Sequence, residues 1–291
     1  MIPSQNIVAW GNVVPWAEQR QIEQDLIISR AIIELFSDEF LAGQLRFRGG
    51  TALNKLHFPK PLRYSEDIDL VRTTHGEIKP ILSRLREVLE PWLGEAEFKR
   101  SRMAPKLIFK IDPEGGGAKM KLKVEINTRD TKAYDGAKTF THAVDNPWFA
   151  GTAELPSFSN EEMLATKLRA LLQRDKGRDL YDLVHALEVF DELDPQRIAT
   201  MFGQYLDLQE QKISRAQAEE RMFAKLANPT FLADIRPLLS AEEAQALTDE
   251  AIREGFGAVF RRIIAALPGE PWARTPEMAK RFDVDIGAGY A

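Results

Sequence analysis

The sequence predicts an α+β (mixed α/β) fold, in which a mixed sheet with flanking helices is followed by a mainly helical C-terminal region. Two observations carry this. The short runs that read as strands, "LRFR", "DIDLVR", "KLIFKI" and "KMKLKVEIN", all lie in the first half of the chain and are interleaved with helical patterns. After the loop-like stretch from Asp145 to Ser159, the apolar spacing is helical for most of what remains. A length of 291 residues accommodates one large domain or two smaller ones, and the change of pattern divides the chain into 1–150 and 151–291.

The elements follow in order. Between Trp16 and Phe36, Ile22, Leu26, Ile27, Ala31, Ile33 and Leu35 recur at helical spacing, which predicts an amphipathic helix lying on the sheet. "LRFRGG" reads as a short strand ending in a glycine turn, with "TALNKLHF" a short helix just after it. "DIDLVR" is the second strand, and His75 to Leu93 returns to helical periodicity. In "KMKLKVEIN" lysines alternate with Met120, Leu122, Val124 and Ile126, a period of two with one buried face. With "KLIFKI" it forms a hairpin across Gly115-Gly116-Gly117; no Gly-Lys-Ser/Thr follows these glycines, so they are a turn and not a phosphate loop. "SNEEMLATKLRALLQR" and "RDLYDLVHALEVF" are helices separated at Gly177, an acidic helix spans Ser240 to Glu254, and the tail from Pro268 reads as an irregular strap.

Composition narrows the chemistry. With 44% hydrophobic and 29% charged residues the chain is that of a soluble globular protein, and no apolar run reaches the roughly 20 residues of a membrane span. The N-terminus lacks a signal-peptide pattern, so a cytoplasmic location is expected. The absence of cysteine removes disulfides, thiolate nucleophiles and thiolate zinc sites, and four scattered histidines make a histidine-held zinc improbable. Any metal should therefore have oxygen ligands. The net charge of −5 argues against a surface that grips nucleic acid everywhere. Phe98 to Lys123 and Lys167 to Arg178 are nevertheless strongly basic, either as solvated faces or as a rim for a polyanion.

The unusual feature is Asp67-Ile68-Asp69. On a strand the two carboxylates point to one face about 7 Å apart, where at an effective dielectric of 20 they repel by roughly 2 kcal/mol. A neighbouring arginine or lysine could offset this, and so could a metal ion. Glu125, mid-strand and flanked by Val124 and Ile126, adds a third carboxylate if its strand pairs beside "DIDL". Such a set suits Mg²⁺, or Mn²⁺ in its place. Gly49-Gly50-Thr51, between a strand and a helix, exposes backbone N–H groups suited to an anion, with Thr51 offering a hydroxyl. Ser65, two residues before Asp67, shares its face.

The ordered set Gly49-Gly50-Thr51, Asp67-Ile68-Asp69-Leu70 and Val124-Glu125-Ile126 resembles the signature of the polymerase-β-like nucleotidyltransferase superfamily. "RGGTAL", "RYSEDIDL" and "KLRALLQRDKGRDLYDL" are similar to the AbiEii/MenT family of toxin nucleotidyltransferases, with a longer gap between Gly50 and Asp67 than is typical and Thr51 where serine is commoner. The resemblance implies that Asp67, Asp69 and Glu125 hold Mg²⁺ and that Gly49, Gly50, Thr51 and Ser65 line the nucleotide. On the helical wheel Lys167 falls within the apolar arc of its helix, where it either snorkels or meets an anion; the resemblance assigns it to the triphosphate. It also favours Asp182 over Asp179, both on the expected polar side of the next helix, as a functional residue. The implied activity is transfer of a nucleoside monophosphate from an NTP to an RNA acceptor, in particular the tRNA 3′ end, with release of pyrophosphate and arrest of translation. The implied architecture has the helical domain closing the active-site cleft, and a winged-helix antitoxin is the implied protein partner; no membrane partner is expected. A small-molecule or protein acceptor, or a nucleotide-binding module without turnover, are the alternatives.

Overall fold

The computed structural model describes residues 2–101 and 103–288, and for Leu232 the backbone only; Arg102, part of the basic run, lies outside the described residues. The chain forms two compact units, 1–159 and 160–291.

In the first unit, α1 (Ser4–Trp10) precedes the long α2 (Gln19–Ser37), whose face of Leu26, Ile27, Ile28, Ala31, Ile32, Leu35 and Phe36 is buried. Each Leu, Ile or Phe side chain so removed from water contributes roughly 1.5–3 kcal/mol. After α3 (Glu39–Gln44), started by the Asp38 carboxylate on the amide of Leu41, comes β1 (Leu45–Arg48) and at once α4 (Gly49–Ala52). This runs into a wider π-helical turn, Leu53–His57, and then β2 (Asp67–Arg72) and α5 (Lys79–Leu93). The strands β3 (Glu97–Lys99), β4 (Lys106–Ile111) and β5 (Met120–Asn127) complete a mixed five-stranded sheet in the order β1-β2-β5-β4-β3, with β2 and β5 parallel and the other pairs antiparallel. Met120, Leu122, Val124 and Ile126 are buried in strict alternation, as their spacing predicts.

In the first unit one expectation fails. Asp145 to Ser159 is not loop-like: β6 (Lys138–Asn146) and β7 (Phe149–Ser157) form an antiparallel hairpin across Pro147 and Trp148. Most of the β6 side chains are polar or half-exposed, and only Val144 and Asn146 of β6 and the Ala153, Leu155 and Ser157 side of β7 supply buried positions, so the alternation is faint in sequence. The hairpin belongs to the first unit: Ser157 Oγ donates to the Phe47 carbonyl at 2.8 Å, and residue 150 falls inside β7.

The second unit is helical: α6 (Asn160–Gln173), α7 (Gly177–Val189), α8 (Pro195–Asp207), α9 (Arg215–Leu226), α10 (Pro229–Ala233), α11 (Ala241–Ala246), α12 (Asp249–Arg262) and α13 (Thr275–Phe282). The acidic segment is two helices and not one. Ser240 and Thr248 each cap a separate start, accepting from the amides of Glu243 and Ala251. The tail beyond Pro268, expected to be irregular, contains α13, which buries Met278 and Ala279. Among the described residues no helix is long and apolar enough to cross a membrane.

Candidate active site

The glycine turn is built around Asp69. Gly49 has φ +85°, a left-handed backbone, and a β-carbon there would overlap Asp69 Oδ2 and stand 2.8 Å from its Cγ. A β-carbon on Gly50 would overlap the Arg63 guanidinium and come within 3.2 Å of Ser65 Oγ. The two glycines therefore let Asp69, Arg63 and Ser65 lie directly on the backbone at the start of α4, where the helix dipole favours a carboxylate. Thr51 is used differently from the expectation. It is 1% exposed, its hydroxyl donates to the Asp67 carbonyl at 2.5 Å and lies 2.8 Å from Ser65 Oγ, so it ties α4 to the start of β2.

The long segment between Gly50 and Asp67 is organised by one side chain. Asn54 Nδ2 donates to the Gly50 carbonyl at 2.8 Å, and its Oδ1 accepts from the amides of Leu62 and Arg63 at 2.8 and 3.1 Å. These bonds fold the segment back onto the turn and deliver the buried Arg63 beneath Gly50.

Sheet register then assembles the acidic face. Asp69 stands opposite Glu125 and Asp67 opposite Lys123 in the parallel pair, while Arg48 of β1 stands opposite Asp69 and Lys106 of β4 opposite Glu125. Neighbours in register share a face, so the three carboxylates lie on one side of the sheet centre, ringed by cations. Lys123 Nζ pairs with Asp67 Oδ2 and Lys106 Nζ with Glu125 Oε2, both at 2.6 Å. Burial works against a charged Lys123, but its bond to Asp67 and the fields of Asp67, Asp69 and Glu125 outweigh this and hold its pKa above the ordinary value.

Lys167 of α6 and Asp182 of α7 belong to the second unit. The anion that the wheel position of Lys167 requires is internal: the residue is 7% exposed, and its ammonium lies 3.2 Å from Asp179 Oδ1 and 2.7 Å from Asp182 Oδ2. Arg174 grips Asp179 with two bonds of 2.7 and 2.9 Å. Both aspartates are fully buried and face α6, so the polar side of α7 expected there is turned inward. Burial alone would raise the Asp179 pKa, but Lys167 and Arg174 reverse the effect and hold it below the usual carboxylate value.

A family model for the AbiEii nucleotidyl transferase toxin of type IV toxin–antitoxin systems matches residues 30–268. The chain belongs to the AbiEii nucleotidyltransferase toxin family. Among solved structures it is similar to MenT4, a nucleotidyltransferase toxin from Mycobacterium tuberculosis, at 18% identity and a TM-score of 0.62, over 96% of this chain and 94% of that one. It is also similar to JHP933 from Helicobacter pylori, at 16% identity and a TM-score of 0.55, over 91% of this chain and 94% of that one. At these identities the likeness is one of fold. No curated protein sequence matches the chain.

The carboxylates of this AbiEii-family chain fit a hard divalent ion in donor chemistry, since all three offer only oxygen and together already draw a cation, Lys123. Among the described residues no three His, Cys, Asp or Glu side chains gather closely enough to hold a metal, because Asp67 and Glu125 are turned to lysines. The basic run is also less free than its composition indicates: besides Lys106 and Lys123, Lys110 pairs with Glu97 and Lys119 with Asp112, whereas Lys99, Arg100 and Lys121 face solvent. Sequence reasoning missed Lys106, Arg48 and the structural role of Asn54. Lys123 was visible on the Glu125 face, but its partner depends on register.

Proposed function

We propose that this toxin is a Mg²⁺-dependent nucleotidyltransferase acting on RNA, with the tRNA 3′ end as its preferred acceptor and translation as the process it blocks. The observation that carries the reading is Asp69 seated on the Gly49 turn with Glu125 as its cross-strand neighbour. A divalent ion held by Asp67, Asp69 and Glu125, Mg²⁺ or Mn²⁺, would supply charge neutralisation on the triphosphate. The first amides of α4 at Gly49 and Gly50, with the half-buried Ser65 beside them, bind phosphate oxygens. Thr51 holds that turn against β2. Glu125 orients the acceptor hydroxyl and takes its proton as the new bond to the α-phosphorus forms and the bond to pyrophosphate breaks. Lys167 is assigned to the triphosphate, with Asp182 orienting its ammonium. Exposed Lys99, Arg100 and Lys121 supply cations for an RNA backbone. A cytoplasmic location and a neutralising antitoxin, of winged-helix type, complete the proposal.

Incubation with Mg²⁺, each labelled NTP in turn and total RNA tests it. Label should appear on tRNA, pyrophosphate should be released in equal amount, and Asp69→Asn should abolish both. Failure of every NTP to label RNA, or undiminished labelling by Asp69→Asn, would sink it. Internal pairing of Lys106, Lys110, Lys119 and Lys123 favours a second reading, in which the acceptor is a small molecule or a protein. Label on such an acceptor, with none on RNA, selects it.

A further inference from the structure

The two ends of the acidic face are closed by the protein's own ammonium groups. Lys123 and Glu125 alternate onto this face from β5, and the parallel register with β2 sets Lys123 across from Asp67. The antiparallel register with β4 sets Lys106 across from Glu125. The two ion pairs match: both measure 2.6 Å, and all four side chains are 28–31% exposed, so each pair is reachable from solvent. Asp69, between them, lies against the Gly49 turn. An ammonium group compensates charge one carboxylate at a time, whereas a divalent ion needs several carboxylates turned to a common point and is repelled by a cation already among them. The two arrangements compete for Asp67 and Glu125.

We propose that Lys123 and Lys106 are built-in counter-ions that compete with a divalent cation for Asp67 and Glu125, so that the nucleotide-free protein takes up metal weakly. An NTP brings negative charge that draws the lysines off the carboxylates and onto its phosphates. Metal and nucleotide therefore bind with positive coupling, and each raises affinity for the other by the same factor. The inference rests on the proposed function, since it assumes that the three carboxylates are the metal site. It goes further in giving these two lysines a role in gating metal uptake.

The test is Mn²⁺ binding to the full chain at neutral pH, followed by the loss of the free-ion electron paramagnetic resonance signal, with and without an NTP analogue whose α–β bridge is methylene. The wild type should bind Mn²⁺ weakly alone and more tightly with the analogue. Lys106→Met/Lys123→Met should bind Mn²⁺ alone roughly tenfold more tightly, about 1.4 kcal/mol, and gain less from the analogue. Lys123→Gln serves as a milder variant, and Mn²⁺ should raise the melting temperature of either variant more than that of the wild type. Equal or weaker Mn²⁺ binding by folded lysine variants overturns the inference. If Glu125→Gln still removes Mn²⁺ binding in that case, the metal-site reading survives alone; if no form binds Mn²⁺, both fall.

Discussion

Replacing Gly49 by alanine separates the geometry of the site from the stability of the fold, because Gly94 supplies a control that shares its positive φ but not its neighbours. Gly49 has φ +85° and Gly94 has φ +81°, yet a β-carbon at Gly94 meets nothing within 4 Å. An alanine held at such a positive φ costs roughly 1–3 kcal/mol, partly offset by about 0.4–1 kcal/mol from the lower entropy of the unfolded chain. Gly94→Ala should therefore lose about 1–2 kcal/mol, a fall in Tm of roughly 2–8 °C, with nucleotidyl transfer unchanged. Gly49→Ala adds a β-carbon that overlaps Asp69 Oδ2 and stands 2.8 Å from Cγ, where ordinary contact begins near 3.4 Å. The carboxylate has to retreat by roughly 1 Å, a misplacement that can cost about 10²-fold in rate. The assay is label transfer from NTP to acceptor at saturating substrate, alongside thermal unfolding of both variants. A Gly49→Ala protein as active as Gly94→Ala would refute the claim that the turn positions Asp69 for chemistry.

Three further outcomes follow from particular contacts. Lys167→Met leaves Asp179 and Asp182 buried without that partner and should cost roughly 3–5 kcal/mol in denaturant unfolding, with Asp182→Asn restoring part of the loss in the double variant; an unaltered midpoint for Lys167→Met would show that the pairing contributes nothing. Asn54→Ala removes three hydrogen bonds, each worth about 1 kcal/mol, and should raise KM for NTP by loosening Arg63 beneath the turn; normal stability and KM would contradict this. Burial, reinforced by Lys55, lowers the His142 pKa from 6.5 to about 4. The unfolded chain thus takes up a proton at a pH where the native state does not. Stability is fully present above pH 6.5 and falls by up to about 3 kcal/mol as pH drops toward 4. Protonation of Asp179, held below the usual carboxylate range, adds a further loss at still lower pH. Urea unfolding from pH 7.5 to 4 should show the His142 slope, and His142→Phe should flatten it.

How legible the fold was depended on how one-sided each element is. The strand β5 was readable because polar and apolar residues alternate without a break, and α2 because its buried face recurs at helical spacing. The hairpin β6–β7 was not, since side chains that are mostly polar or half-exposed leave little alternation to read. At the site, the order of Gly49-Gly50, Asp67-Asp69 and Glu125 was legible because each motif is local and the period of a strand fixes which carboxylates share a face.

What each carboxylate touches was not local. The sequence by itself determined that a glycine turn, a two-carboxylate strand and a third carboxylate exist in the order a nucleotidyltransferase uses, and that a lysine sits on the apolar side of a later helix. Only the tertiary structure decided that Asp69 pairs across from Glu125, that Lys123 and Lys106 close on Asp67 and Glu125, and that Asp179 and Asp182 are buried against Lys167. The physical reason is that charge pairing is set by distance in space, and strand register and helix packing bring together residues that no spacing along the chain relates.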